Sequence, residues 1–168
     1  MDIKTLERIE FLHPKLRNEV KEIYKEICAA LNGKALCRFS YTYRSFAEQA
    51  MLFSQGRSNP GPKVTNAAAG KSYHNYGLAV DIVLLIDKDG NGTYEAASWE
   101  TAKDFDGDGK ADWMEVVTIF KQYGWEWGGD WGFTDKPHFQ KTLGLSVNQC
   151  LALYNNKKLI PGTNFINI

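Results

Sequence analysis

The sequence has no excess of charge of either sign, few cysteines and no long apolar run. Its 168 residues carry 20 Lys and Arg against 20 Asp and Glu, so the formal net charge is zero. A neutral chain has no overall field to attract nucleic acid or an anionic membrane. The three cysteines are odd in number and widely spaced, which predicts free thiols and excludes a disulfide framework. No stretch approaches the ~18 consecutive apolar residues of a membrane span.

The first residues also lack the apolar core of a signal peptide. We therefore expect synthesis in the cytoplasm without a signal peptide, and a monomer with neither nucleic-acid nor membrane partners. A chain of 168 residues is long enough to bury one core and too short for two full domains. The prediction is a single domain over residues 1–168.

Hydrophobic periodicity predicts an α+β fold with a small, mostly antiparallel sheet and helices packed on one side of it. Residues 35–43 alternate as a strand, with apolar side chains through Tyr41 and Tyr43 on one face, and 78–86 form a nearly continuous apolar strand. A Gly- and Pro-rich loop covers 55–73. The first predicted helix begins at Pro14 and is stopped by Gly33. Three more helices are predicted over 45–55, 112–123 and 147–156. Two short strands are predicted over 125–127 and 138–140.

Two of the three histidines lie a few residues from a carboxylate, in segments far apart in the chain. His74 precedes Asp81 by seven residues, and Gly77 between them offers a turn that would let both side chains converge. Asp81 interrupts the apolar run 78–86, and a buried charge needs a cation. Together with His138, these residues would give zinc three ligands and an open fourth position, as in catalytic sites. From spacing alone, ordinary core histidines remain an alternative.

Residues 87–115 are rich in Asp and Gly and are predicted to be an acidic insertion. Residues 104–115 match the twelve-residue calcium loop, with glycine at position six and glutamate at position twelve. A similar beginning at 87–95 lacks the closing glutamate at position twelve. The alternative is a cluster of exposed Asp-Gly turns that binds nothing. The possible calcium ligands are Asp104, Asp106, Asp108, Asp112 and Glu115.

The segment Ser72-x-His74-x-x-Gly77-x-Ala79-x-Asp81, followed by Asp135-x-Pro137-His138-Phe139, resembles a known signature. It is that of the zinc D-Ala-D-Ala carboxypeptidase (VanY-type) and L-alanyl-D-glutamate endopeptidase family, which includes phage endolysins. The resemblance covers most of the chain, because further matches occur in the expected order. These matches include Tyr43-Arg44-Ser45 with Gln49, Asp112-Trp113, and Trp127-Gly128-Gly129-Asp130-Trp131.

The resemblance implies a zinc cleft on the free side of the sheet and a role for each matching residue. It makes His74, Asp81 and His138 the zinc ligands and Asp135 the general base. Arg44 becomes the cation that holds a carbonyl oxygen or carboxylate of the substrate. Ser72 and Gln49 are implied as contacts to the substrate or as supports for the residues that touch it.

Asp135 stands where the carboxypeptidase branch typically has glutamate, so the resemblance favours the endopeptidase branch. The implied substrate is a peptidoglycan stem peptide, cut after L-alanine once the protein is released to the cell wall. Asp130 is a rival base with a turn role as its alternative. Two other functions remain open: a D-alanyl-D-alanine carboxypeptidase or dipeptidase, and a non-catalytic zinc- and calcium-binding module like the related hedgehog domains.

Overall fold

The computed structural model describes all 168 residues and has the predicted α+β architecture. Two short 3-10 turns, Tyr73–Tyr76 and Gly128–Asp130, lie between the regular elements. The five helices are α1 (Ile3–Ile9), α2 (Pro14–Ala30), α3 (Phe46–Ser54), α4 (Asp112–Gln122) and α5 (Val147–Asn155). The five strands are β1 (Ala35–Tyr41), β2 (Ala79–Ile86), β3 (Ala96–Ser98), β4 (Glu126–Trp127) and β5 (His138–Gln140).

The sheet is antiparallel throughout and is built around β2. Strand β1 pairs with one edge of β2, while β3 and β5 pair with opposite ends of its other edge. Strand β4 completes the sheet beside β5. The register sets Asp81 of β2 opposite His138 of β5 on one side and opposite Tyr41 of β1 on the other. Two segments 57 residues apart in sequence therefore meet at Asp81.

Helix α2 supplies one apolar face of the core. Its buried residues recur at helical spacing, and the helix contacts both α4 and β1. At its N-terminus His13 caps the helix, with Nδ1 accepting from the Lys15 amide. Its Nε2 bonds the Ile166 carbonyl, so His13 is a packing residue outside the cleft. No helix of the chain combines the length and the apolar character that crossing a bilayer would require.

The structure differs from the sequence prediction in three elements. Helix α1 and strand β3 were not predicted, since each is too short for its periodicity to stand out. Strand β1 ends two residues early, because the pairing register shifts between Phe39 and Tyr41. The irregularity turns the Tyr41 side chain out of the core, and 47% of it is exposed. The prediction that Tyr41 lies on the same strand face as the buried Phe39 is therefore wrong.

Asp2 fixes α1 to the rest of the fold. Its carboxylate caps the helix by accepting from the Thr5 amide and hydroxyl, at 3.2 and 2.8 Å. The same carboxylate accepts two bonds from Arg38 of β1, at 2.9 and 2.8 Å. The Asp2 amide donates to the Tyr24 hydroxyl of α2. One buried residue thus connects two helices and a strand, through its side chain and its backbone amide.

We predict that Asp2→Ala lowers the free energy of unfolding by about 3 kcal/mol, because it removes a helix cap and leaves Arg38 without its partner. Burial raises the pKa of Asp2, but the Arg38 and Thr5 hydrogen bonds outweigh it, and the net pKa lies below the ordinary value. The stabilisation is therefore complete above the ordinary aspartate pKa of about 3.9 and is lost as the pH falls towards the lowered folded-state value.

Urea unfolding between pH 7 and pH 3 measures both effects. Glu10→Ala is the matched control, since Glu10 pairs with Lys21 at an exposed site worth less than about 1 kcal/mol. Equal losses in the two variants, or a loss for Asp2→Ala that does not shrink in acid, would contradict this role.

Candidate metal centre

A cleft of about 550 Å³ opens beside the strand β2, and three side chains with metal-ligating atoms meet in it. His74 comes from the turn Tyr73–Tyr76, Asp81 from β2, and His138 from the first position of β5. Their ligand atoms all lie within 4.8 Å of one another. The structure thus brings together the three residues that the sequence placed in one site.

Local structure before β2 sets the position of His74. The Ser72 hydroxyl caps the 3-10 turn and accepts from the His74 amide at 3.3 Å. Gly77 ends the turn in the left-handed region, with φ of +68°, and a Cβ there would lie 2.6 Å from the His13 backbone nitrogen. Only glycine fits both constraints, as the sequence predicted for this turn. Ser72 also lines the cleft, so it remains a candidate contact for a substrate.

The hydrogen bonds of His74 leave one ring nitrogen for a metal. Its Nδ1 lies 3.0 Å from the Thr42 carbonyl oxygen, which can only accept, so Nδ1 carries the proton. Its Nε2 then presents a lone pair and lies 3.1 Å from Oδ1 of Asp81. Nδ1 of His138 approaches the same oxygen at 3.0 Å. Two imidazole nitrogens around one carboxylate oxygen suit a bound cation, so these residues fit a metal.

The charges in the cleft favour an ionised carboxylate at its centre. Burial raises the pKa of Asp81. The two histidines lower this pKa by more than burial raises it, so the net pKa lies well below the ordinary range. Burial lowers the pKa of His138, but its hydrogen bond to Asp81 outweighs this and the net pKa is raised. Asp81 is therefore a permanent negative charge at the meeting point of the site.

Asp135 lies at the rim of the cleft, outside the group of three ligands. Desolvation by the cleft walls raises its pKa, although His138 opposes this. Its backbone amide donates to the Gly128 carbonyl at 2.9 Å, and a Cβ on Gly128 would lie 2.3 Å from the Asp135 carbonyl oxygen. Asp130 instead pairs with Lys121 at an exposed site and does not line the cleft, which disfavours it as the base.

Arg44 places a guanidinium in the cleft. Its Nη2 lies 3.8 Å from Oδ2 of Asp81, and the group sits over the Tyr41 ring. Nη1 donates to Gln49 Oε1 at 3.0 Å. Gln49 is fully buried and donates to the Ala67 carbonyl, so it does not line the cleft. Gln49 was expected either to contact the substrate or to support a residue that does. The geometry supports the second role, because Gln49 orients Arg44.

Three contributors to the site were missed from the sequence. Trp99 follows β3 in the predicted insertion and lines the cleft while 57% exposed. Gln140 bonds His138, and the Thr42 carbonyl bonds His74. A backbone carbonyl leaves no signal in a sequence. Gln140 could have been found from the sequence, because a residue two positions from His138 on the same strand lies on the same face.

The acidic segment 104–115 forms a loop that leads into the first turn of α4, which holds Asp112 and Glu115. Asp104 accepts from the Gly107 and Gly109 amides, and the carboxylates of Asp104, Asp106 and Asp108 lie within 4.8 Å of one another. At the end of the loop, Oδ1 of Asp112 and Oε2 of Glu115 are buried without any hydrogen-bond partner. Burial raises the pKa of both carboxyl groups.

The earlier loop has a carboxylate group of its own, although position twelve is Ser98. The carboxylates of Asp87, Asp89 and Glu95, at positions one, three and nine, lie within 4.8 Å of one another. The Glu95 carboxylate also accepts from the Lys88 amide.

Comparisons with known proteins agree on one family. The sequence profile described as D-alanyl-D-alanine carboxypeptidase matches residues 65–141, a range that holds His74, Asp81, Asp135 and His138. The chain is 50% identical over 130 residues to the peptidoglycan L-alanyl-D-glutamate endopeptidase CwlK of Bacillus subtilis (strain 168), covering 77% of this chain and 72% of that protein.

The fold also matches a solved structure, that of the Serratia marcescens L-Ala D-Glu endopeptidase ChiX. The match has a TM-score of 0.51 and 24% identity, and covers 85% of this chain and 90% of that one. At this identity the likeness concerns the fold. Sequence and fold together show that this chain belongs to the family of D-alanyl-D-alanine carboxypeptidases and L-alanyl-D-glutamate endopeptidases, which are metallopeptidases.

Proposed function

We propose that the protein is a zinc-dependent L-alanyl-D-glutamate endopeptidase of peptidoglycan. The observation that carries the proposal is the meeting of His74, Asp81 and His138 beside Asp135, in a chain half identical to such an endopeptidase. Two imidazoles and one carboxylate are a usual ligand set for catalytic zinc. The substrate is a stem peptide of the cell wall.

Zinc bound by these three residues would supply Lewis acidity that activates water and polarises the scissile carbonyl. Asp135 accepts the proton of the attacking water and returns it to the leaving amine of D-glutamate. Arg44 donates to the carbonyl oxygen as negative charge develops there. Gln49 keeps the Arg44 guanidinium aimed into the cleft.

We also propose that calcium binds the loop 104–115 as a structural ion. Five carboxylates crowd into twelve residues, and two of their oxygens are buried without a partner at the start of α4. An unpaired buried carboxylate oxygen is costly unless a cation or proton satisfies it. Lys110 reaches Asp108 and Glu115, at 3.1 and 3.7 Å, so a bound calcium would compete with its ammonium group.

The first prediction from this proposal concerns the bond that is cut. Digestion of purified peptidoglycan should create new amino termini on the glutamyl residue and leave L-alanine on the glycan, as identified by mass spectrometry. Release of D-alanine instead would indicate a D-alanyl-D-alanine carboxypeptidase or dipeptidase.

Asp135→Asn should keep its zinc and lose about 100-fold or more in kcat, since only the base is removed. Asp130→Asn is the matched control and should cleave normally.

The second prediction concerns the metal. His138→Ala should lose both zinc, measured by elemental analysis of dialysed protein, and activity, because two ligands hold zinc far more weakly than three. His13→Ala removes the one histidine outside the cleft and should retain one zinc per chain. A His138→Ala protein that still held stoichiometric zinc would remove His138 from the ligand set.

The third prediction concerns calcium. With zinc held constant, calcium at a hundred-fold above its Kd should stabilise the folded chain by ~2.7 kcal/mol and raise Tm by roughly 5–10 °C. Glu115→Gln should lose most of this increase, because the loop loses its closing carboxylate. A wild-type Tm that does not respond to calcium would make the segment an exposed turn.

A further inference from the structure

The two nitrogens of His138 face two different partners. Nδ1 lies 3.0 Å from Oδ1 of Asp81, in the metal centre, and Nε2 lies 3.1 Å from Oε1 of Gln140, behind it. A neutral imidazole carries one proton, and only the other nitrogen can bind a metal. Without a metal, the acceptor-only Asp81 carboxylate favours a proton on Nδ1, so the ring proton has to sit on Nε2 before Nδ1 can bind a metal. The partner at Nε2 therefore affects how easily Nδ1 becomes a ligand.

Gln140 by itself leaves that choice open. Its amide can present either an oxygen acceptor or an NH₂ donor to His138, because the two ends of the group are nearly the same shape. The side chain is only 8% exposed, so water cannot make up for a wrong orientation. Another residue must fix which end faces the ring.

Glu126 fixes it. Strands β4 and β5 place Glu126 directly across from Gln140, and Gln140 Nε2 donates to Glu126 Oε2 at 2.9 Å. A carboxylate can only accept, so the Gln140 NH₂ must face Glu126 and its oxygen must face His138. This is the only side-chain hydrogen bond of Glu126, and it forms no ion pair.

We propose that Glu126, acting through Gln140, is a positioning residue that holds His138 in the Nε2–H tautomer and so keeps Nδ1 free for the metal. The inference rests on the metal site of the proposed function. His74 has the equivalent support from the Thr42 backbone carbonyl, which no side-chain substitution removes. A substitution remote from the metal centre can therefore change the tautomer of His138 but not that of His74.

The direct test is Glu126→Lys, which exchanges an acceptor for a donor. The new ammonium group would attract Oε1 of Gln140, turn the NH₂ towards Nε2 of His138 and drive the ring proton to Nδ1. We expect the zinc dissociation constant, measured by competition with a chromophoric chelator, to rise about 10–100-fold. In zinc-free protein with a neutral His138 ring, ¹⁵N NMR should show a larger share of the Nδ1–H tautomer in Glu126→Lys than in the wild type.

Three further variants make the result decisive. Glu126→Gln can present either its oxygen or its NH₂ to Gln140, so its zinc affinity should lie between those of the wild type and Glu126→Lys. Gln140→Leu removes the acceptor at Nε2 without changing charge and should weaken zinc binding. Glu7→Lys makes the same charge change on the exposed face of α1 and should have no effect. Thermal melts of each variant identify any that fail to fold.

An unchanged tautomer with unchanged affinity in Glu126→Lys would overturn the proposal, as would an equal loss in Glu7→Lys. Neither readout involves peptidoglycan. If the wild type binds zinc but does not cut the L-alanyl-D-glutamate bond, the proposed substrate fails while this proposal stands.

Discussion

The carboxylate of Asp81 is the constraint on which the rest of the site depends. It sits on the central strand of the sheet, where a charge is costly unless positive groups surround it. The structure surrounds it with the guanidinium of Arg44 and with two imidazoles that can hold a cation against it, one from the turn before β2 and one from the neighbouring strand. Each of these groups is held in place by a hydrogen-bond partner of its own. Residues in several parts of the fold therefore contribute to accommodating the charge of Asp81.

The supports differ in kind. A backbone carbonyl orients His74, a cross-strand pair of side chains orients His138, and the buried Gln49 orients Arg44. Asp135 depends on the absence of a side chain at Gly128, whose backbone lies against its own. Such supports matter because a metal centre or a base works only when its geometry is held closely. The regular elements of the fold serve here mainly to bring these small supports together.

Sequence reasoning predicted the parts of the molecule that repeat or that involve unusual residue types. The helix from Pro14, the apolar strand through Asp81 and both Ser-led capping boxes are confirmed, because periodicity and caps are local signals. It failed at Tyr41, since a shift in strand register depends on the partner strand and reverses the alternation that the sequence shows.

In the site, histidines beside carboxylates are rare enough to stand out, and so the three candidate ligands were found together. Trp99 and Glu126 were not found, because their importance arises only from where the chain brings them. Trp99 is one aromatic residue among many, and Glu126 is an exposed glutamate in a two-residue strand. No property of either residue alone distinguishes it from the rest of the surface.

The position of Trp99 has a consequence for how this enzyme can diversify. The indole stands on the cleft wall, yet it belongs to the segment between β2 and α4, which provides none of the three metal-binding side chains. Insertions or exchanges in that segment can therefore remodel one wall of the cleft without altering the three side chains that could hold a metal. The shape of that wall can diverge between related enzymes independently of the metal centre.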